Sequence, residues 1–493
     1  MSGQMRAVQN TVKVIVFVLI LLALLSLAGK VLSRPHALEW GTEAGMDLVH
    51  RFRDQYDICF AGTSAVIANL SNQELYEKYG ITAVSVGEPE QPLFLTKYTV
   101  KEVLRCQHPK AVLLDSRNFF YTEKRVSEKI NEDEEYFLHY SLDTIDSPQI
   151  KKEALEQAGR YKEIDEKEYY LRIYNRHAQW KNLNVVNFKD CREPNCINGN
   201  LMLTGLYNVA DVTMIRKTIS KENEWEIAQI KEECEKHGAD LILMTAYIDP
   251  RVRNRDQLRE LARKLQIDYI DINDMLDEIG FEGNLLHDYV HFNIIGATIW
   301  SDWLGQYLTK RYSFGNPSGK LNRLYQDQSK LCSTYKNCVR NKIKFTNHYS
   351  FKEFLREIAG SDLKNIVLFA AVCEDAYSSL DEEGKNLLRQ IGLDGLQCVG
   401  GSFAGVCGTD GITLKKSDCK TVTVSGSRGV LTYVVESAGA NCENEPGASV
   451  LVNKEEYAKG QRGLNFVLFD EKLGQLIASK CFDTSAESDP GES

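Results

Sequence analysis

Three residues at two distant places in the chain have the types needed to move an acyl group. Ser64 follows Gly62 and Thr63 at the end of the apolar run DICFAG (57–62), and Asp288 and His291 occur as Asp-Tyr-Val-His just before NIIGATIWSDWLGQYL. A serine hydroxyl is a weak nucleophile until a base takes its proton, and an imidazole serves as that base when a carboxylate holds its tautomer. An Asp three residues before a His can orient the ring locally while a distant strand presents the serine. Taken singly, each has a plainer reading: Gly-Thr-Ser after a strand is commonly a helix N-cap, and one His at a helix start is commonly structural. The chemical reading rests on their joint placement at the two ends of one α/β unit.

That meeting needs a sheet to arrange it. DICFAG, TAVSVG (82–87), AVLLD (111–115), ADLILMTAY (239–247) and IDYIDIN (267–273) are strand-like, and SNQELYEKYG (71–80), LTKYTVKEVLRCQ (95–107), NEWEIAQIKEECEKHG (223–238) and RDQLRELARKLQ (255–266) are helix-like. Strands alternating with helices predict a three-layer α/β domain on a parallel sheet. Ligands of such sheets bind beyond the carboxyl ends of the strands. Ser64 falls there, at a helix start whose N–H groups can face a developing oxyanion. The charged, Tyr-rich stretch 120–200 breaks the period and reads as an insertion, helical in part, over one edge or over the site.

Around this unit the chain divides further. Val14 to Gly29 carries no charge, and extended from Val12 to Leu32 it is long enough to span a bilayer as a helix; a cleaved signal peptide is the rival reading. The anchor reading takes 1–35 as the membrane segment and leaves 36–312 as the α/β domain outside the cytoplasm. A polar, basic stretch with Gly315, Pro317 and Gly319 marks 313–345 as a linker. Beyond it, 346–486 starts with helix and strand, turns Gly- and Cys-rich, and closes on GLNFVLFDEKLGQLIASKCFD (463–483), a hairpin signal; 487–493 reads as a disordered tail. This second domain is predicted to be a smaller, β-rich α+β fold.

The 59 Lys and Arg against 69 Asp and Glu give a net charge of -10, the wrong sign for non-specific nucleic-acid binding. Thirteen cysteines, without paired CxxC motifs, favour disulfides over metal; Cys191 with Cys196 and Cys332 with Cys338 are close pairs, and six in the last quarter leave 15 connectivities open. The odd total leaves at least one thiol unpaired within the chain. Asn69-Leu70-Ser71 is a formal glycosylation sequon on the helix behind Ser64, where a glycan would crowd the cleft, so it is expected to be unused.

On DICFAGTSAVIANLSNQELYEKYGITAVSVG and the text to Asp115, RIYNRHAQWKNL (172–183) and HDYVHFNIIGA (287–297), the region 40–310 resembles the SGNH (GDSL-like) hydrolases, in particular their membrane-anchored bacterial members. The resemblance implies Ser64 as nucleophile, His291 as base, Asp288 as its orienter, and N–H groups of Ser64 and Gly87 in an oxyanion hole. The family's Gly-Asp-Ser is Gly62-Thr63-Ser64 here, and its Gly-x-Asn-Asp block has no clean copy. Asp-Ser-Arg-Asn (115–118) follows the third strand, so Arg117 or Asn118 stands in for the missing donor; Asn118 is taken for the oxyanion hole and Arg117 for substrate binding. His177 and Trp180 are similar to a His-x-x-Trp element of close relatives and suggest a substrate wall, against a packed aromatic segment as the alternative.

FKEFLREIAGSDLKNIVLFAAVCEDAYSSLDEEGKNLLRQIG (351–392), SFAGV (402–406) and RGLNFVLFDEKLGQLIASKCFDT (462–484) resemble the interleukin-like epithelial-mesenchymal transition inducer (ILEI, or PANDER-like) domain, which implies a glycan-binding or protein-docking module. Together these resemblances imply an extracytoplasmic serine esterase or O-acyltransferase acting on acyl groups, acetyl first, of cell-envelope carbohydrate. The partners are then an acylated glycan, the membrane and a possible membrane acyl-transfer protein. The chemistry calls for no cofactor or metal. Two alternatives stay open: a non-catalytic surface module binding glycan or protein, and a thioester-directed partner similar to the D-alanyl teichoic-acid transfer proteins.

Overall fold

The computed structural model describes residues 2–37, 41–133, 135–170, 180, 181, 183, 196–207, 218–248, 252–281, 283–315, 317, 319–347, 350–396 and 399–484. The chain forms two compact units, 1–333 and 334–493.

The first element, α1 (Ser2–Ala37), contains the stretch Arg6–Gly29, which is long and apolar enough to cross a membrane. After it α2 (Thr42–Arg51) leads to a parallel sheet of β1 (Ile58–Gly62), β2 (Ala83–Gly87), β3 (Ala111–Asp115), β6 (Asp240–Thr245) and β7 (Asp268–Asp271), in the order β2-β1-β3-β6-β7. The short hairpin β4 (Cys196–Ile197) and β5 (Asn200–Leu201) stands apart from it. Every residue of β1, β2 and β3 is buried, which is why these strands read as continuous apolar runs instead of alternating ones.

Successive side chains of a strand point to opposite faces. Cys59, Ala61, Val84, Val86, Val112 and Leu114 thus enter one core, while Ile58, Phe60, Ala83, Ala111, Leu113 and Met244 enter another. The first core takes in α2, α5 (Leu93–Cys106) and the helices Lys221–Lys236 and Val252–Leu265. The second takes in α3 (Ser64–Ala68), α4 (Asn72–Tyr79) and the helix Ile294–Arg311. The described part of the 120–200 insertion is largely helical, with Glu123–Glu132, Pro148–Ala158 and Glu166–Tyr170.

The stretch expected as a linker is instead a 28-residue helix, Gly319–Thr346. Its apolar residues recur at helical spacing among charged ones, so the composition looks like a loop while the pattern does not: Leu321, Tyr325, Cys332, Tyr335 and Val339 are buried.

In the second unit, nine strands form one sheet. Its path is β10 (Gly411–Ser417), β9 (Ser402–Gly408), β8 (Ile366–Glu374), β12 (Leu431–Gly439), β13 (Gly447–Val452) and β14 (Glu455–Glu456). β11 (Val422–Arg428) joins β12, and the expected terminal hairpin, β15 (Gly463–Asp470) with β16 (Gln475–Phe482), joins β8. Alternation along β8 again feeds two cores, with Leu368, Ala370 and Val372 against the helices Phe351–Ala359 and Glu382–Gln390, and Val367, Phe369 and Ala371 on the other face.

No disulfide joins any two of the eleven cysteines within the described residues, unlike the pairing expected from composition. Cys332 and Cys338 lie on one helix. Six residues of helix rise about 9 Å, beyond the Cα separation of roughly 7 Å that a disulfide tolerates. Cys191, the expected partner of Cys196, and Cys398 lie outside the described residues.

Candidate active site

β1 ends on a backbone that only glycine takes easily. Gly62 has φ 145°, and a Cβ there would lie 2.6 Å from Asp115 Cβ. The chain then turns through Thr63 into α3, which begins at Ser64. Thr63 Oγ1 donates to Asp115 Oδ2 at 2.6 Å, so the middle residue of Gly-Thr-Ser pins the turn to the end of β3. Gly87, opposite Gly62 in the ladder, passes under the same turn: a Cβ would meet Val66 Cγ2 at 2.5 Å and Thr63 O at 2.6 Å.

From the far end of the unit, the loop before the helix Ile294–Arg311 brings His291 to the serine. His291 Nε2 lies 2.8 Å from Ser64 Oγ, across 227 positions of sequence, and His291 Nδ1 lies 2.8 Å from Asp288 Oδ2. Asp288 Oδ1 accepts from the N–H groups of Val290 and His291, both at 2.8 Å. Burial pushes the Asp288 carboxyl up, but the His291 hydrogen bond and the Val290 N–H outweigh it and hold the group well below the usual carboxylate range. An ionised carboxylate only accepts hydrogen bonds, so Nδ1 carries the proton and Nε2 is left to accept from Ser64 Oγ–H.

Two residues that do no chemistry hold these parts in register, and sequence reasoning missed both. Asn69, the C-cap of α3, is fully buried. Its Nδ2 donates to Ala246 O at 2.6 Å and Val290 O at 3.0 Å, and its Oδ1 accepts from Phe292 N at 2.9 Å. The helix carrying Ser64 is thereby clamped to both neighbours of His291 and to the end of β6. The buried sequon asparagine is thus a structural clamp, and its side-chain amide is already committed. Asn200, from the β4–β5 hairpin, donates to Val66 O at 3.1 Å and Ser85 Oγ at 3.1 Å, bracing α3 from behind. The only signal for either in the sequence is an asparagine beside apolar residues, which has many other readings.

The other expected site residues are placed as follows. Asn118 lies in the 3₁₀ turn Arg117–Phe120 after β3, but its Nδ2 donates to Gln91 O and Thr96 Oγ1, both at 3.1 Å. Both amide hydrogens are engaged, so the expected oxyanion role does not fit this arrangement; Asn118 ties the β3 turn to the start of α5. Arg117 is half-buried with its guanidinium 5.5 Å from the centre of the Tyr247 ring. Trp180 is 62% exposed, and among the described residues no hydrogen bond joins its side chain to the triad. His177 lies outside the described residues.

Glu88, next to Gly87, is buried and its Oε2 accepts from Thr42 N at 2.9 Å. Burial, only partly offset by Thr42, pushes its carboxyl up to about 8. Among the described residues, one group has metal-ligand spacing: His50, Glu102 and Cys106. Glu102 there already accepts from Arg105 Nε at 2.9 Å and from Arg105 Nη2, His50 Nε2 and Asp146 N, so it serves as the centre of an ion-pair network.

Compared with known proteins, the chain matches no family model and no curated protein.

Proposed function

We propose that the chain is a serine esterase or O-acyltransferase of SGNH type, tethered to a membrane by α1 with its two units outside the cytoplasm. In this reading it acts on acyl groups, acetyl first, of cell-envelope carbohydrate. The observation that carries the reading is the unbroken hydrogen-bonded series from Ser64 Oγ to His291 Nε2 and from His291 Nδ1 to Asp288. Ser64 Oγ attacks the acyl carbonyl while His291 Nε2 takes its proton. His291 returns that proton to the departing alcohol, and water or a sugar hydroxyl then releases the acyl group by the same steps in reverse. N–H groups of Ser64 and Gly87 receive the oxyanion. The parallel sheet, with the serine beyond the carboxyl end of β1, is the arrangement an SGNH-type domain requires. The β-rich second unit serves as an ILEI-like accessory module for glycan or protein.

The test is labelling of the full chain by a fluorophosphonate probe, with turnover of a chromogenic acetyl ester. Labelling and turnover that vanish in Ser64→Ala support the reading. Their absence from the native chain refutes it and favours a binding module, and thioester turnover exceeding oxygen-ester turnover redirects the chemistry to a thioester donor.

A further inference from the structure

The base and its carboxylate share one short loop, 287–291, whose two limbs are held to the rest of the unit by different means. The loop is closed on itself: His291 O accepts from His287 N at 2.7 Å and from Asp288 N at 3.4 Å, and Leu286 bridges Phe292 just outside it. The outgoing limb is tied to α3, because Asn69 holds Val290 O and Phe292 N. Asp288 has no such tie of its own. Among the described residues its side chain meets only the N–H groups of Val290 and His291 and the His291 ring, all within the loop. Where its carboxylate stands relative to Ser64 is therefore set by the limbs on either side.

The incoming limb leans on 203–207, the segment after the β4–β5 hairpin. Tyr207 N donates to Leu286 O at 3.0 Å, and the same segment takes Ile294 N on Leu203 O at 2.8 Å and Asn293 Nδ2 on Gly205 O at 3.2 Å. From the loop itself comes the side chain of His287, whose Nδ1 accepts from Gly205 N at 2.7 Å. A backbone N–H can only donate, so this nitrogen carries no proton, the reverse of His291, whose Nδ1 is protonated toward Asp288. Gly205 is suited to the contact. A Cβ there would lie 2.3 Å from His287 Nδ1 and 2.8 Å from His287 O, so a side chain would drive away both the ring and the backbone that bears it.

We propose that His287 is a positioning residue of the acyl transfer, latching the incoming limb of the triad loop to Gly205 through Nδ1 and so fixing Asp288 and His291 against Ser64; this rests on the reading given under Proposed function. His287 touches no reacting atom. It acts through Asp288, its neighbour in sequence, and through the bond from its own N–H to His291 O. Without the ring, Gly205 N–H must turn to water and the incoming limb loses its side-chain tie, while Asn69 still holds the outgoing one. The loop then pivots about the outgoing limb, and a misplacement of about 1 Å in the triad costs on the order of 10²-fold in rate.

The experiment compares the full chain with His287→Ala, His287→Asn and His287→Gln, by fluorophosphonate labelling and by turnover of a neutral acetyl ester. Asparagine sets its Oδ1 where Nδ1 stands, whereas glutamine sets its amide where Nε2 stands and leaves Gly205 N–H unmet. The expected result is a kcat and a labelling rate about 10–100-fold lower for His287→Ala and His287→Gln, with KM within roughly three-fold and His287→Asn restored to within roughly three-fold of the native chain. A folded His287→Ala with native kcat, a change in KM alone, or a His287→Asn no faster than His287→Gln overturns the proposal while leaving Ser64 chemistry standing. Should His287→Ala fail to fold, the comparison of His287→Asn with His287→Gln decides. A native chain without Ser64-dependent labelling overturns the acyl-transfer reading itself, before any change at His287.

Discussion

Replacing Asn69 by alanine should separate the nucleophile from its base without touching either. The substitution removes three hydrogen bonds, to Ala246 O, Val290 O and from Phe292 N, at a fully buried position. At about 0.5–1.5 kcal/mol net each, their loss costs about 2–4 kcal/mol, at the upper end if the three backbone groups stay dry and unpaired. The His291 loop can recover partners only by moving toward water, which lengthens the 2.8 Å contact between His291 and Ser64. A misplacement of about 1 Å in a catalytic pair costs on the order of 10²-fold in rate. The assay is urea unfolding read by tryptophan fluorescence, together with the rate of fluorophosphonate labelling. All five tryptophans, at 40, 180, 225, 300 and 303, belong to the first unit, so the signal reports that unit alone. A stability loss under about 0.5 kcal/mol with an unchanged labelling rate would refute the clamp.

Asp288→Asn keeps an oxygen for the Val290 and His291 N–H groups, which turns its NH₂ toward His291 Nδ1 and fixes the wrong tautomer; kcat should fall about 10⁴-fold with little change in ester KM. In Gly87→Ala the new methyl meets the Thr63 and Gly62 carbonyls, which cannot give way without moving Ser64, so labelling should slow at least tenfold and stability drop by about 1–3 kcal/mol. Glu88, near 8 in the folded chain against 4.5 as its ordinary value, holds its proton in the fold at pH values where the unfolded chain has lost it. Stability of the first unit should therefore fall as pH rises between about 4.5 and 8, by up to about 1.4 kcal/mol per pH unit from this group, and level off above. Glu88→Gln should flatten that slope in pH-dependent urea titrations, and an unaltered slope would show that Glu88 ionises normally.

The sheet was legible because each of its inner strands is buried on both sides and spells a short apolar run bounded by breakers. AVLLD at 111–115 matches β3 residue for residue, and DICFAG and TAVSVG overrun β1 and β2 by one residue each. Ser64, Asp288 and His291 were legible for a related reason, since the strand end and the start of the last helix are marked in sequence and topology brings such ends together. The long helix Gly319–Thr346 looks like a linker because Gly315, Pro317 and Gly319 are breakers, although none of them lies beyond its first residue. Composition spoke for disulfides but carries no geometry, and Cys332 and Cys338 show what that leaves out. That both Asn118 amide hydrogens are engaged turns on side-chain direction within a single 3₁₀ turn, below the resolution of any pattern. Asn69 binds atoms 177, 221 and 223 positions away, so its role becomes visible only once the fold is known.

Exposure rises along the triad, and the rise bears on how its members work. Ser64 is 9% exposed, while the side chains of His291 and Asp288 are 22% and 36% exposed. A carboxylate that open to water is screened, so its charge adds little to the stability of an imidazolium nearby. What water cannot replace is direction. Asp288 Oδ1 is fixed by two backbone N–H groups, which leaves Oδ2 aimed at Nδ1 and sets the ring plane that carries Nε2 to Ser64. At the nucleophile the order of effects reverses, because Ser64 is nearly closed off and charge there is poorly screened. Electrostatic help is therefore worth most on the oxyanion side of the serine, beside β2 and β3, and least on the carboxylate side. Hydrogen-bond geometry thus governs the base, and charge governs the intermediate.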